Sequence, residues 1–255
     1  MNAIAVIPAR FASTRFPGKP LANQTGKYLI QHVYERASQC SRVDRVVVAT
    51  DDERIRDAVD SFGGEVVMTR ADHPTGTDRV AEVSAKIKSD LVVNVQGDEP
   101  EIDPVHIDML VEGLQSDGES TIATLACPFA VLDGADPRDP NTVKVVIDGF
   151  GRAIYFSRAM IPYPRGYETK GTAHQPAPYL LHLGVYAYRS SFLKEVQTLP
   201  PTPLERTEML EQLRWIEHGY RIAVRLVDRA AIGIDTPEDY QAFVDRNGVV
   251  DPANP

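Results

Sequence analysis

Short, nearly continuous apolar runs alternate with stretches of helical periodicity along the first half of the chain. The runs predict strands over 3–7, 45–49, 65–68, 91–95 and 121–126, and the periodic stretches predict helices over 28–38, 53–62, 78–87 and 105–114. A run such as Leu91-Val92-Val93-Asn94-Val95 suits a sheet buried on both faces. Repeated strand-then-helix order predicts an α/β fold with a largely parallel central sheet and right-handed crossovers. The second half is more mixed, with strands expected over 142–147, 153–156, 183–188 and 222–226. Between them, residues 162–178 are rich in Pro, Gly and polar side chains and read as a long exposed connection.

Two late helices carry start signals. Thr202-Pro203-Leu204-Glu205 offers a Thr cap, a proline at the first helical position and a capping-box acid. Thr236-Pro237-Glu238-Asp239 repeats that design. A helix over 204–217 places Met209, Leu213 and Ile216 on one side, and Glu208, Glu211, Gln212 and Trp215 on the other. The pattern as a whole predicts one α/β domain over 1–247 and a frayed tail over 248–255.

Composition narrows the function classes. The net charge of -9 across 255 residues argues against general nucleic-acid binding, and no basic stripe reverses that. No apolar run approaches the length of a bilayer-spanning helix, so no membrane association is expected. Cys40 and Cys127 form no metal or redox spacing, and the N-terminus lacks a signal-peptide pattern. These features together predict a cytoplasmic enzyme.

Against that acidic background, Arg10, Arg15 and Lys19 fall between Pro8 and Pro20 with no acid among them. A loop after a first strand is where open α/β sheets hold anionic ligands, and guanidinium forks grip phosphate oxygens firmly. Neither Gly18-Lys19-Pro20 nor Gly26-Lys27-Tyr28 makes a P-loop, and no dinucleotide-type GxGxxG follows the first strand. Asn94-Val95-Gln96-Gly97-Asp98-Glu99-Pro100 puts an acid at the end of the fourth strand. There Asp98 is placed to hold magnesium beside phosphates, although the same letters also make a hydrogen-bonded turn. In Gly233-Ile234-Asp235-Thr236-Pro237, Asp235 is either a second magnesium carboxylate or a helix-entry residue. His73-Pro74-Thr75-Gly76-Thr77-Asp78-Arg79 joins a strand to a helix with backbone donors suited to a nucleotide, or makes an ordinary capped turn. Glu211 and Gln212 either line a pocket for a hydroxyl-rich ligand or face solvent. His182 and Tyr186, four apart in a strand, share a face.

The ordered set of motifs resembles the 3-deoxy-manno-octulosonate (Kdo) cytidylyltransferases, or CMP-Kdo synthetases, from residue 4 to about 243. Its carriers include Pro8-Ala9-Arg10, Ser13-Thr14-Arg15, Pro17-Gly18-Lys19-Pro20, Met68-Thr69-Arg70-Ala71-Asp72-His73 and the Asn94–Pro100 run. Tyr155-Phe156-Ser157-Arg158-Ala159, His182-Leu183-Gly184, Glu208-Met209-Leu210-Glu211-Gln212 and Asp235-Thr236-Pro237 complete it. Tyr28 is a departure, standing where similar enzymes have a proline at the helix start.

The resemblance implies a nucleotidyltransferase-type fold with a smaller sugar-binding and dimerisation lobe, its segment at about 150–190. It implies transfer of CMP from CTP to the anomeric hydroxyl of Kdo, with release of pyrophosphate, in a magnesium-dependent homodimer that feeds lipopolysaccharide assembly. By matching position, Arg10, Arg15, Lys19, Asp98 and Asp235 are the expected catalytic residues, with Asp98 and Asp235 holding magnesium. Ala9, Arg10, Ser13, Arg15, Lys19, Thr75, Gly76, Thr77, Arg79 and Gln96 are expected at CTP, and Arg165, His182, Tyr186, Glu211 and Gln212 at the sugar. Competing readings are the same reaction on 8-amino-Kdo or a sialic acid, a metal-dependent glycosyltransferase, and a non-catalytic nucleotide-binding protein.

Overall fold

The computed structural model describes residues 1–12, 15–132, 134–165 and 179–248. The chain divides into two compact units, residues 1–108 with 231–255, and residues 109–230. The tail beyond 248 and most of the 162–178 connection lie outside the described residues.

The first unit holds strands β1 (Ala3–Ala9), β2 (Arg45–Thr50), β3 (Val66–Met68) and β4 (Leu91–Asn94) in the order β3-β2-β1-β4. All three of its pairings are parallel. The valine- and isoleucine-rich strands β1, β2 and β4 are almost wholly buried, as the uninterrupted apolar runs require. Helices α1 (Leu29–Ala37), α2 (Glu53–Ser61) and α3 (Gly76–Lys86) follow the first three strands. Helix α4 (Pro104–Ser116) carries the chain out of this unit, and α8 (Pro237–Asn247) belongs to the returning segment. Successive strands run outward from β1 on one side, and β4 then pairs on its other side. The carboxyl ends of β1 and β4 thus flank a topological switch point, the usual ligand position in open α/β sheets.

In the second unit, β5 (Ile122–Pro128) pairs antiparallel with β8 (Leu180–Arg189) and parallel with β9 (Ile222–Leu226). Strand β6 (Lys144–Ile147) pairs antiparallel with both β7 (Ala153–Ser157) and β8. Helices α5 (Ser190–Val196), α6 (Pro203–Glu208) and α7 (Glu211–Glu217) accompany them. Tyr186, Tyr188 and Phe192 pack edge-on around Trp215, which is 1% exposed.

The expected α/β order, its parallel sheet and nearly every element are present, with two differences of note. The single helix over 204–217 is in fact two, broken at Met209, which takes a left-handed backbone with φ 54°. The break disrupts the expected faces: Met209 is exposed and Gln212 and Trp215 are buried, while Leu213 is inside as expected. Glu208 fixes the break, because its carboxylate accepts from Ser157 Oγ (2.6 Å) and Arg158 N (2.9 Å) at the end of β7. Second, Tyr28 caps α1 instead of opening it, at φ -63°, an angle that also suits proline.

Candidate active site

Beyond Ala9 the chain enters the cationic loop. Its base closes where Gly18 N donates to Phe11 O at 3.1 Å. Gly18 lies at φ +71°, a conformation strained for other residues, and a Cβ there would sit 3.2 Å from the Phe11 ring. The Arg54 guanidinium covers that ring, 3.3 Å from its centroid. A short 3-10 turn, Lys19–Leu21, then starts at the third cation.

This loop, the segment after β4 and the start of the returning segment line a cleft of about 300 Å³. Ala9, Arg10, Arg15, Lys19, Gly76, Gln96, Asp98 and Asp235 all border it, so most of the expected triphosphate and metal residues meet there. Lys19 is the hub. Its Nζ donates to Asp98 Oδ2 (2.9 Å) and to the Ile234 carbonyl (2.7 Å), with Asp235 Oδ1 at 3.8 Å. Arg15 Nη2 pairs with the same Asp235 oxygen at 2.9 Å. Arg10 Nη2 donates to the carbonyls of His73 (2.8 Å) and Thr75 (3.1 Å).

The two readings of Asp235 now separate. Thr236 and Asp239 form the capping box of α8, and the amides of Asp235 and Thr236 both donate to Asp239 Oδ2, at 3.0 and 2.9 Å. Helix entry is therefore served by Asp239, and the Asp235 carboxylate is turned to the cations. Leu29, Ile234, Tyr240 and Phe243 form a buried cluster that holds the returning segment in place, and Ile234 N donates to Asp98 O at 2.9 Å.

Asp98 is brought in by Gly97, where a Cβ would meet Pro8 O at 2.8 Å. Gly97, Pro8, Ala12 and Pro20 also border the cleft and were not among the expected site residues. Gly97 had a legible signal, a glycine between two polar residues at a strand end. Next along, burial and then the Asp98 charge push the Glu99 carboxyl up to about 7.

The donor set fits magnesium. Asp98 and Asp235 present hard carboxylate oxygens to one ammonium and remain about one-third and one-half exposed. No cluster of three or more His, Cys, Asp or Glu side chains suited to a metal occurs among the described residues. Magnesium needs only one or two carboxylates when phosphates and water complete its octahedron.

Three expected CTP contacts do not line the cleft. Thr75 caps α3 and shares a capping box with Asp78, and Thr77 is buried. Arg79 is fully buried, with its guanidinium 2.7 Å from Asp51 and donating to Thr69 Oγ1 at 2.6 Å, so it braces the ends of β2 and β3 against α3. Its position three residues into a helix carried no signal of that partner. Ser13 lies outside the described residues.

In the second unit, two of the expected sugar residues pack together beside the helix that carries two more. The rings of His182 and Tyr186 are 5.5 Å apart, and Tyr186 lies 5.2 Å from Trp215 on α7, the helix that carries Glu211 and Gln212. His182 shares a 3.0 Å hydrogen bond with Thr124 Oγ1, and burial lowers its pKa to about 3. Burial, then Tyr188 and Glu211, raise the Tyr186 phenol well above its ordinary value. Both rings are thus neutral hydrogen-bonding groups near pH 7. Glu211 also faces Arg214 at 3.3 Å. Arg165 is exposed at the edge of the undescribed segment, and nothing among the described residues joins it to the other four.

A cytidylyltransferase family profile matches residues 4–222. The chain belongs to the cytidylyltransferase family. The 3-deoxy-manno-octulosonate cytidylyltransferase of Syntrophotalea carbinolica is 56% identical over 241 residues, 94% of this chain and 96% of that protein. The corresponding enzyme of Syntrophobacter fumaroxidans is 51% identical over 247 residues, 96% of each chain. Among solved structures, a CMP:2-keto-3-deoxy-manno-octonic acid synthetase complexed with CTP superposes with a TM-score of 0.88 at 44% identity, covering 96% of this chain and 99% of that one. This cytidylyltransferase therefore shares with its relatives the nucleotidyltransferase fold that its motifs implied.

Proposed function

We propose that this cytidylyltransferase transfers CMP from CTP to the anomeric hydroxyl of Kdo, giving CMP-Kdo and pyrophosphate. The observation that carries this reading is the cleft at the β1–β4 switch point, where Arg10, Arg15 and Lys19 meet Asp98 and Asp235. The names of the relatives and the CTP bound in the similar structure support it.

Attack of a sugar hydroxyl on the α-phosphate brings two anions together, so their repulsion is the main obstacle. Lys19 commits two N–H groups to Asp98 and the Ile234 carbonyl, which leaves the third for a phosphate oxygen. Arg15 and Arg10 add guanidinium donors along the same wall, where they neutralise the triphosphate and the charge that develops on pyrophosphate. Asp98 and Asp235 would hold magnesium, which supplies charge neutralisation and lowers the pKa of a hydroxyl bound near it. His182, Tyr186, Glu211 and Gln212 would receive the acid sugar through hydrogen bonds, with the two rings serving as neutral partners. The chain would act as a cytoplasmic homodimer whose product supplies lipopolysaccharide assembly, in keeping with the resemblance. No helix among the described residues is long and apolar enough to cross a membrane.

Pyrophosphate release tests the assignment, with each of the four nucleoside triphosphates offered against Kdo, 8-amino-Kdo and sialic acid in the presence of magnesium. Release is expected with CTP and Kdo, and a preference for either other sugar would overturn the choice of acceptor. Asp98→Asn is expected to lower kcat by about 100-fold or more, the scale of losing one main electrostatic group, with the fold retained. Near-normal turnover of that variant at saturating magnesium would remove Asp98 from the metal role.

A further inference from the structure

Arg10 is exposed at the end of β1, yet its orientation is not left to solvent. Both hydrogens of Nη2 are taken by carbonyls of the segment that joins β3 to α3, those of His73 and Thr75. Three N–H donors remain on the guanidinium for an anion. Whatever fixes that segment therefore fixes the direction in which Arg10 points.

The segment is held by Glu82, on the second turn of α3. Its Oε2 accepts from the Arg70 amide at 3.1 Å and from His73 Nε2, while Oε1 takes Lys86 Nζ at 2.6 Å. The His73 side chain is 1% exposed, and its Nδ1 has no hydrogen-bond partner among the described residues. Glu82 is thus the one polar hold on that ring, and the proton belongs on Nε2 facing the carboxylate. Burial raises the Glu82 carboxyl, but Lys86, His73 and the Arg70 amide outweigh it and bring the pKa down to about 2. At the far end, Thr75 is pinned by its capping box with Asp78. The two carbonyls that grip Arg10 lie between these anchors.

We propose that Glu82 is a positioning residue for the triphosphate clamp, acting through His73 and the two loop carbonyls to set the Arg10 guanidinium. This rests on reading Arg10 as a phosphate ligand. A Gln side chain offers one acceptor oxygen in place of two charged ones and cannot satisfy Arg70, His73 and Lys86 together. The loop then loses an anchor, Arg10 loses its fixed direction, and CTP binding weakens while the acceptor site is untouched.

The test is a double-mutant cycle of Glu82→Gln and Arg10→Ala, read as CTP affinity by calorimetry and as KM for CTP and for Kdo. Glu82→Gln is expected to weaken CTP binding about tenfold, the scale of one hydrogen bond to a charged group, with KM for Kdo unchanged. In the Arg10→Ala background the same change is expected to have almost no further effect, because the residue it acts through is gone. An equal tenfold loss in both backgrounds would overturn the proposal, since it would show Glu82 acting through general stability. An unaltered CTP affinity in Arg10→Ala itself would instead overturn the reading of Arg10, and the proposal with it. His73→Phe provides a second route if the Glu82 variant folds poorly: it keeps the ring volume, removes the Nε2 donor and is expected to raise KM for CTP in the same direction. An unchanged KM for CTP in a folded His73→Phe protein would also count against the relay.

Discussion

Gly97→Ala offers a sharp check on how the cleft is built. The added Cβ would lie 2.8 Å from Pro8 O, with Ile7 Cγ2 at 3.7 Å and Ile30 Cδ1 at 3.8 Å around it. Ordinary contact begins near 3.4 Å, so the two backbones must separate by about 0.6 Å. Pro8 cannot yield easily, because it is paired in register with Ala49 in a strand buried on both faces. The strain falls on residues 96–98, and it moves Asp98 relative to Lys19. Overpacking of this kind costs about 1–3 kcal/mol of stability. A misplacement of about 1 Å at a reacting centre costs up to about 100-fold in rate, so a shift of this size predicts a loss of about tenfold or more in kcat. Urea unfolding and pyrophosphate release measure the two effects separately. Gly233→Ala is the control, since it neighbours the same cleft segment but its Cβ meets nothing within 4 Å. It is expected to stay within about 0.5 kcal/mol and near wild-type turnover. If Gly97→Ala matched it in both assays, the close approach of β1 and the Asp98 segment would have no bearing on function.

Two further outcomes follow from the second unit. His182 has its folded pKa lowered to about 3, below an unfolded value near 6.5, so the stability it contributes is full above pH 6.5 and is lost as pH falls toward 3. Between pH 7 and pH 5 the wild type should therefore lose about 2 kcal/mol more than His182→Gln in urea titrations, and equal losses would refute the assignment. Met209→Gly should raise the thermal midpoint, by the equivalent of about 1 kcal/mol, because it relieves a left-handed backbone at a side chain that is 76% exposed. A lowered midpoint would mean that the Met209 side chain contributes more than its exposure implies.

The parts of the fold that were legible in sequence are those ruled by local pattern. Leu91-Val92-Val93-Asn94 is apolar enough to be buried on both faces of a sheet, and Thr236-Pro237-Glu238-Asp239 can cap a helix without help from elsewhere. The cationic loop was legible for a similar reason, since three cations without an acid need a counter-charge. The misread elements depend on distant partners. No glycine or proline marks the break at Met209; it is set by Glu208 bonding Ser157 and Arg158, about fifty residues earlier. Once the helix restarts, the faces computed for one continuous helix no longer apply, which is why Trp215 and Gln212 are inside. Arg79 is held by Asp51 on the turn after β2, a partner that its own neighbourhood in the sequence does not announce. Glu82 gave no signal at all, because its task is visible only when the loop before α3 folds back on it.

The returning segment has a consequence for synthesis. Arg15 and Lys19 emerge early, but Ile234 and Asp235, which complete their surroundings, are made more than two hundred residues later. A nascent chain halted before residue 231 can pair its first strands yet has no Asp235 in the cleft and no Phe243 to seal the cluster around Leu29. Domains fold from the N-terminal side as they leave the ribosome. Here the early folding yields a precursor whose cleft is unfinished, so on the proposed role of Asp235 a chain ended before residue 231 is expected to bind no magnesium–CTP productively even where most of the molecule has formed.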